Sequence, residues 1–155
     1  MSNIISLVRS GDLSEIKELL SKQPSSANEV DAHGFTPLIM ATYLDKKHIV
    51  ELLLRCGADI NTKGAKGNTA LMGLCFKGNT ELTRFILSHH ADTELQNDEG
   101  QTAMVFAATY GKKEIVELLL ESNADIGIID NHGKTAIDYA LEKGYNEIVE
   151  ILKIQ

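Results

Sequence analysis

Apolar residues recur along this chain in short blocks at helical spacing, and a polar or glycine-containing break follows each block. One block holds the apolar residues Ile49, Val50, Leu52, Leu53 and Leu54. Residues three or four positions apart share one face of a helix, so this block predicts an amphipathic helix. We predict that helix over 47–55 and a shorter helix just before it, over 37–43.

Residues with special backbone or capping chemistry mark the ends of these two helices. Thr36 predicts an N-cap because its hydroxyl can accept a backbone N–H from the first turn. Pro37 fits the first helical position, where an N–H would have no partner anyway. Gly57 fits the left-handed position that follows a helix, and Gly34 predicts a tight turn at the tip of a short β-hairpin. The unit is therefore a tip, two helices and a loop.

This unit recurs with a fixed period. Gly34, Gly67, Gly100 and Gly133 lie 33 residues apart, and Thr36 keeps the same step with three later threonines. A period of this length predicts a solenoid, because one helix pair cannot bury its apolar face alone and must stack on its neighbours. We predict a single domain over 1–155 with an N-terminal cap at 1–30, full repeats at 31–63, 64–96 and 97–129, and a C-terminal cap at 130–155.

Charge at otherwise apolar positions distinguishes the two ends of the predicted stack. Glu15 stands where Ile115 stands in a central unit, and Glu18 stands where Leu118 stands. Lys153 falls where the other second helices carry leucine. A terminal repeat has one face in water, so charge at these positions is expected of capping units.

The motifs within each unit resemble the ankyrin repeat family over nearly the whole chain. The stretch from Thr36 to Ala41 reads Thr-Pro-Leu-Ile-Met-Ala, and that from Gly57 to Asn61 reads Gly-Ala-Asp-Ile-Asn. The resemblance implies an all-α repeat solenoid, an ankyrin repeat stack of helix-turn-helix units with short β-hairpin tips. It also implies a non-catalytic module for protein–protein interaction.

The chain departs from the family pattern at one position. Where the family often has histidine after Thr-Pro-Leu, this chain carries Ile39, Met72, Val105 and Asp138. This chain therefore lacks any hydrogen bond between repeats that the family's histidine provides. We expect apolar stacking to carry more of the stability.

The charge and composition narrow the classes of partner. The formal net charge of −7 argues against nucleic acid and acidic membranes, which bind clusters of Lys and Arg, and favours a basic protein. No apolar run approaches the length of a membrane span, and the first residues lack the pattern of a secretory signal, so we predict a cytoplasmic protein. Cys56 and Cys75 predict free, buried thiols, with a single disulfide as the alternative.

No motif in the sequence predicts catalysis. The chain has no glycine-rich phosphate loop, no nucleophile elbow and no paired-cysteine metal site. His89, His90 and Asp92 form the one arrangement that resembles a metal corner, and a helix end with its loop explains them better. We therefore predict that the protein is not an enzyme and uses no metal or cofactor.

The predicted binding surface lies on the tips and on the ends of the first helices, where ankyrin partners usually dock. Phe35, Tyr43, Phe76 and Tyr110 are expected to converge on the concave face as aromatic anchors, although local packing of the rings is the alternative. Tyr139 and Tyr145 are predicted to pack within the C-terminal cap. The full set of predicted protein-binding residues is His33, Phe35, Tyr43, Leu44, Lys66, Asn68, Phe76, Lys77, Glu99, Gln101 and Tyr110.

The sequence is compatible with three functions. The leading hypothesis is a monomeric inhibitor or regulator that covers a basic partner, as immunity proteins cover nuclease toxins. The alternative is a structural scaffold or a self-associating assembly component. An enzyme with an unrecognised site is the third.

Overall fold

The computed structural model describes residues 3–155, which form ten α-helices in five consecutive pairs. Residues 1 and 2, which belong to the predicted N-terminal cap and to the segment read for a secretory signal, lie outside the described residues. The predicted helices over 37–43 and 47–55 are confirmed. The helices are α1 (Ile4–Ser10), α2 (Leu13–Lys22), α3 (Pro37–Tyr43), α4 (Lys47–Arg55), α5 (Ala70–Lys77), α6 (Thr80–Ser88), α7 (Ala103–Thr109), α8 (Lys113–Glu121), α9 (Ala136–Lys143) and α10 (Asn146–Lys153).

The helix pairs stack in a row. The first helix of each pair contacts the first helix of the next, from α1 through α3, α5 and α7 to α9, and α6, α8 and α10 do the same for the second helices. One apolar cluster runs through all five pairs, and Ile16, Leu53, Ile86 and Leu119 are fully buried in it. The all-α repeat solenoid predicted from the sequence is confirmed.

Capping residues fix where the helices begin and end. The hydroxyl oxygen of Thr36 accepts a hydrogen bond from the N–H of Ile39 at 3.1 Å, and Thr69 and Thr102 make the same bond in the next two pairs. These threonines are buried, so the bond satisfies a polar group inside the stack. Gly57 adopts a φ of 93°, which confirms its left-handed position after α4.

The tips differ from the predicted β-hairpins, because no strand occurs among residues 3–155. In the first tip the Asp31 N–H donates to the Phe35 carbonyl at 2.9 Å, and the Asp31 carboxylate accepts from the N–H groups of His33 and Phe35. The next tip is joined to this one by the Ala65 N–H, which donates to the Gly34 carbonyl at 2.9 Å. Backbone groups are used within each turn and between tips, which leaves too few for a strand ladder.

The terminal pairs carry the charge that the sequence predicted. Glu15 and Glu18 are exposed, whereas Ile115 and Leu118 at the equivalent positions of a central pair are buried. Lys153 is also exposed in the last helix. The outermost helices thus place charge in water where inner helices place apolar side chains against a neighbour.

Both cysteines are free thiols. Cys75 is fully buried in α5, as predicted, whereas Cys56 at the end of α4 is half-buried. Burial in apolar surroundings raises the pKa of the Cys75 thiol well above its usual range, because the thiolate cannot be solvated there.

Candidate protein-binding surface

The predicted aromatic anchors lie at the ends of the first helices, which stand side by side. Tyr43 is the last residue of α3, Phe76 lies in the last turn of α5, and Tyr110 directly follows α7. Their exposed fractions are 56%, 49% and 44%, and Leu44 is 36% exposed. Large apolar side chains with half of their surface in water are available to a binding partner.

The rings form two groups rather than one continuous patch. Phe35 and Tyr43 have centroids 6.3 Å apart. Phe76 meets Tyr110 edge to face, with centroids 4.7 Å apart and ring planes at 86°. Edge-to-face packing holds each ring in a fixed orientation while the outer half stays in water. Local packing and exposure therefore coexist in these rings.

Phe106 joins the second group and was not among the predicted site residues. Its ring lies nearly parallel to Tyr110, with centroids 6.4 Å apart and planes at 16°. Phe106 is half-buried in the middle of α7. The repeat register gave a signal for it, since it stands 33 residues after Gly73 and 33 before Tyr139, on the same helix face.

A cleft opens beside this second group of rings. Its volume is about 270 Å³. Gly73 lines it on α5 and, apart from the chain neighbours of Gly73 and the backbone of its own helix, no atom lies within 4 Å of the place where a Cβ of Gly73 would stand. The residues that line the cleft are Asn68, Met72, Gly73, Phe76, Phe106 and Tyr110.

Lys77 was predicted to contact a partner, but its ammonium group is turned towards the chain itself. Its Nζ donates to the backbone carbonyl of Tyr43, lies 2.9 Å from the Asp45 carboxylate and stands 5.2 Å from the Tyr43 ring centroid. The hydrogen bond from Lys77, followed by one from the Asn79 amide, lowers the pKa of Asp45. Lys77 thus positions Tyr43.

The tip residues of the predicted surface divide by exposure. His33, Lys66 and Glu99 are exposed, whereas Asn68 and Gln101 are half-buried. The Asn97 amide, which sequence reasoning did not single out, donates to the Asn68 carboxamide oxygen at 2.9 Å and to that of Gln101 at 3.2 Å. One asparagine therefore holds two of the predicted contact residues in place.

The tyrosines of the last pair are engaged in packing. The Tyr139 hydroxyl donates a hydrogen bond to the buried Asp130 carboxylate. Burial raises the pKa of Asp130, but the bonds from Tyr139 and from the N–H groups of Lys134 and His132 outweigh it, so the pKa lies below its ordinary value. The Tyr145 ring lies against the backbone of Gly111.

Residues 3–155 hold neither a cluster of metal-ligating side chains nor a membrane-spanning helix. Among residues 3–155 no three His, Cys, Asp or Glu side chains are grouped so as to hold a metal ion. His89 instead packs against the Phe85 ring, with centroids 4.3 Å apart. In the same range, every helix is too short or too polar to cross a lipid bilayer.

Comparison with known families identifies the repeat. A family model described as ankyrin repeats (3 copies) matches residues 4–97 and again residues 71–155. Comparison with curated proteins finds no match. Ankyrin repeats generally mediate protein–protein interaction and are typically non-catalytic. Because the two matched segments together span residues 4–155, this chain belongs to the ankyrin repeat family.

Proposed function

We propose that this chain is a non-catalytic module that binds one protein partner on the concave face of its repeat stack. The observation that carries the proposal is the half-exposed, edge-to-face pair of Phe76 and Tyr110. Aromatic anchors with a polar rim are what a binding hot spot requires, and the tips supply the rim. The proposed surface comprises the predicted protein-binding residues together with Phe106.

The energy available from these rings is large enough for an anchor. Burying the exposed half of one aromatic side chain removes roughly 75–125 Å² from water, which is worth about 2–3 kcal/mol at 25 cal/mol per Å². Phe76 and Tyr110 together would contribute about twice that amount before the cost of association is subtracted. Both rings are already oriented by their mutual contact, so little further side-chain entropy is lost on binding.

Charge suggests the kind of partner. The formal net charge of −7 favours encounter with a basic protein over nucleic acid or an acidic membrane. A binding face without catalytic groups acts by covering what it binds, so we propose a small cytoplasmic inhibitor or regulator, of which an immunity protein is one example. In this proposal residues 1–155 form one domain, with three full repeats between two caps, and act as a monomer without a cofactor.

The test removes the rings and measures binding. A partner is first captured from the source organism with the wild-type protein and then purified. Its affinity is measured by calorimetry for the wild type, for the Phe35→Ala/Tyr43→Ala variant and for the Phe76→Ala/Tyr110→Ala variant. We expect the second variant to bind at least a hundredfold more weakly, with an unchanged circular dichroism spectrum.

The matched control is Leu141→Ala, which removes an exposed apolar side chain from α9, outside the proposed surface. We expect this variant to bind normally. Unchanged binding by both ring variants, with the fold intact, would remove the aromatic residues from the binding site.

Self-association is a second candidate, favoured by apolar exposure in α9 and directly after α10. Ile154 is 80% exposed and Leu141 is 55% exposed. A scaffold that used them would form oligomers at high concentration, and the Leu141→Glu/Ile154→Glu variant would return it to a monomer. Light scattering across a hundredfold range of concentration separates the candidates, since a constant monomer mass contradicts self-association.

A further inference from the structure

Gly73 stands at a repeat position where the other full-length first helices carry a large side chain. Met40, Phe106 and Tyr139 occupy the same place in α3, α7 and α9. A glycine inside a helix lowers helix stability, so its presence calls for a compensating reason.

Neither of the usual reasons for glycine applies at Gly73. Its backbone is helical and lacks the positive φ that favours glycine, and no neighbouring atom lies within 4 Å of the missing Cβ. Gly67 is different, since Asp98 occupies the space beside it. What the glycine provides is open space in front of α5, and that space is the cleft.

The walls of the cleft are aromatic. Phe76 and Phe106 both contact Tyr110, so three rings border the opening. The faces of aromatic rings attract cations within about 6 Å of the centroid. Met72, which also lines the cleft, is buried and uncharged, and Gly73 has no side chain, so α5 supplies no charge there.

The neighbouring rings on either side are already covered by lysines of this chain. The Lys77 Nζ stands 5.2 Å from the Tyr43 centroid, and the Lys134 Nζ stands 5.4 Å from the Tyr139 centroid. Among residues 3–155 no lysine or arginine lies over Phe76, Phe106 or Tyr110. The three rings at the cleft therefore lack a cation of this chain, whereas Tyr43 and Tyr139 each have one.

The tip that precedes α7 carries two acidic residues. Asp98 packs against Gly67, the residue before Asn68, and Glu99 follows it on the same tip. Neither carboxylate forms a salt bridge within the described part of the chain. Against these two negative charges the adjacent tip, residues 64–68, holds one positive charge, that of Lys66, so the balance over the two tips is negative.

We propose that the cleft over Gly73 binds an arginine side chain of the protein partner. The guanidinium stacks on the rings of Phe76, Phe106 and Tyr110, and Asp98 and Glu99 supply the opposite charge. Arginine fits better than lysine because its planar, weakly hydrated head stacks on aromatic faces. This inference rests on the proposed function, since it names the residue through which a partner engages the same surface.

The test uses three acetylated, amidated pentapeptides with four alanines and a central arginine, citrulline or leucine. Binding is followed through the amide nuclear magnetic resonance signals of Asn68, Gly73 and Tyr110. We expect the arginine peptide to bind at least tenfold more tightly than the citrulline peptide, which has the same shape without the charge. Equal binding of arginine and citrulline, tighter binding of leucine, or no binding at all would overturn the proposal.

Matched variants locate the site and its charge. Gly73→Met fills the cleft with the side chain found at position 40 and should abolish arginine binding, whereas Ser14→Met, at an exposed site on α2, should leave it unchanged. The Asp98→Asn/Glu99→Gln variant should bind the arginine peptide at least threefold more weakly and should bind the other two peptides as the wild type does. If none of the peptides binds but the Phe76→Ala/Tyr110→Ala variant no longer binds the protein partner, the arginine proposal is wrong and the proposed function is still supported.

Discussion

Lys77 and Asp45 form an ion pair that joins two neighbouring helix pairs, with 2.9 Å between the Nζ and the nearer carboxylate oxygen. Asp45 lies in the loop after α3 with a φ of 56°, and Lys77 is the last residue of α5. The same ammonium covers the Tyr43 ring and caps the end of α3 through the Tyr43 carbonyl. The pair therefore couples the orientation of an exposed ring to the stacking of two repeats.

We expect Lys77→Met to lower the free energy of unfolding by about 0.5–1 kcal/mol, because both partners of the pair are partly exposed. Urea denaturation measures the change, and a double-mutant cycle with Asp45→Asn should assign most of it to the pair. In 1 M NaCl the coupling energy between Lys77 and Asp45 should be smaller, because salt screens the two charges. Lys153→Met, which breaks an exposed pair within α10, is the control and should cost less; equal losses would contradict the bridging role.

Gly73→Ala and Gly57→Ala should change stability in opposite directions. At both sites the missing Cβ would have no atom within 4 Å beyond the local backbone and chain neighbours, so tertiary packing does not distinguish them. Alanine at Gly73 should stabilise by about 0.5–1 kcal/mol through helix propensity. Alanine at Gly57 should destabilise by about 1–2 kcal/mol, because its φ is 93°. Thermal and urea unfolding measure both changes, and two changes of the same sign would contradict the backbone argument.

Asp130→Asn should destabilise the protein at neutral pH and have little effect in strong acid. The folded pKa of Asp130 lies below its ordinary value of 3.8, so its stabilising effect is complete above that pH and is lost as the pH falls through the folded pKa. We expect a loss of about 1–2 kcal/mol at pH 7, typical of hydrogen bonds to a charged group. Urea denaturation from pH 7 to pH 2 measures it.

Tyr139→Phe provides the control for this prediction, since it removes one donor to Asp130 and keeps the charge. It should cost less than Asp130→Asn at pH 7. A penalty for Asp130→Asn that stays constant across the whole pH range would show that the charge contributes nothing.

The two cysteines should react at very different rates. Burial raises the pKa of Cys75 and also blocks access of a reagent, whereas Cys56 is half-buried at the end of α4. We expect a disulfide reagent such as 5,5′-dithiobis(2-nitrobenzoic acid) at pH 8 to titrate one thiol in the folded protein and two in urea. Cys56→Ser should leave a folded protein that does not react; rapid reaction of that variant would contradict the burial of Cys75.

The helices and their boundaries were predictable from sequence because the signals that set them are local and repeated. Thr36 and Pro37 begin α3 through capping and a preset φ, and Gly57 ends α4 through its freedom to adopt a positive φ. The threonine recurs four times in one register, and the place of Gly57 recurs as His90 and Asn123, both at positive φ. This repetition made the stacked architecture a necessity, since no single pair can bury its own apolar face.

The positions of the exposed rings were also predictable, because the repeat places Tyr43, Phe76 and Tyr110 at the ends of adjacent first helices. Their exposure follows from the helix face on which they stand. The repeat register gave a signal for Phe106, but the nearly parallel packing of its ring beside Tyr110 was not predictable, since it depends on side-chain rotamers and on the space between two helices.

Tertiary structure alone decided the direction of Lys77 and the space over Gly73. A repeat register assigns each residue to a face, but whether a long side chain points to water or folds back on a ring depends on partners contributed by the neighbouring repeat. Likewise, a glycine creates a cleft only if no neighbouring side chain fills the gap. Sequence thus determined the stack and its faces, through local conformational preference and the need for burial, and contacts between repeats determined which groups remain free to bind.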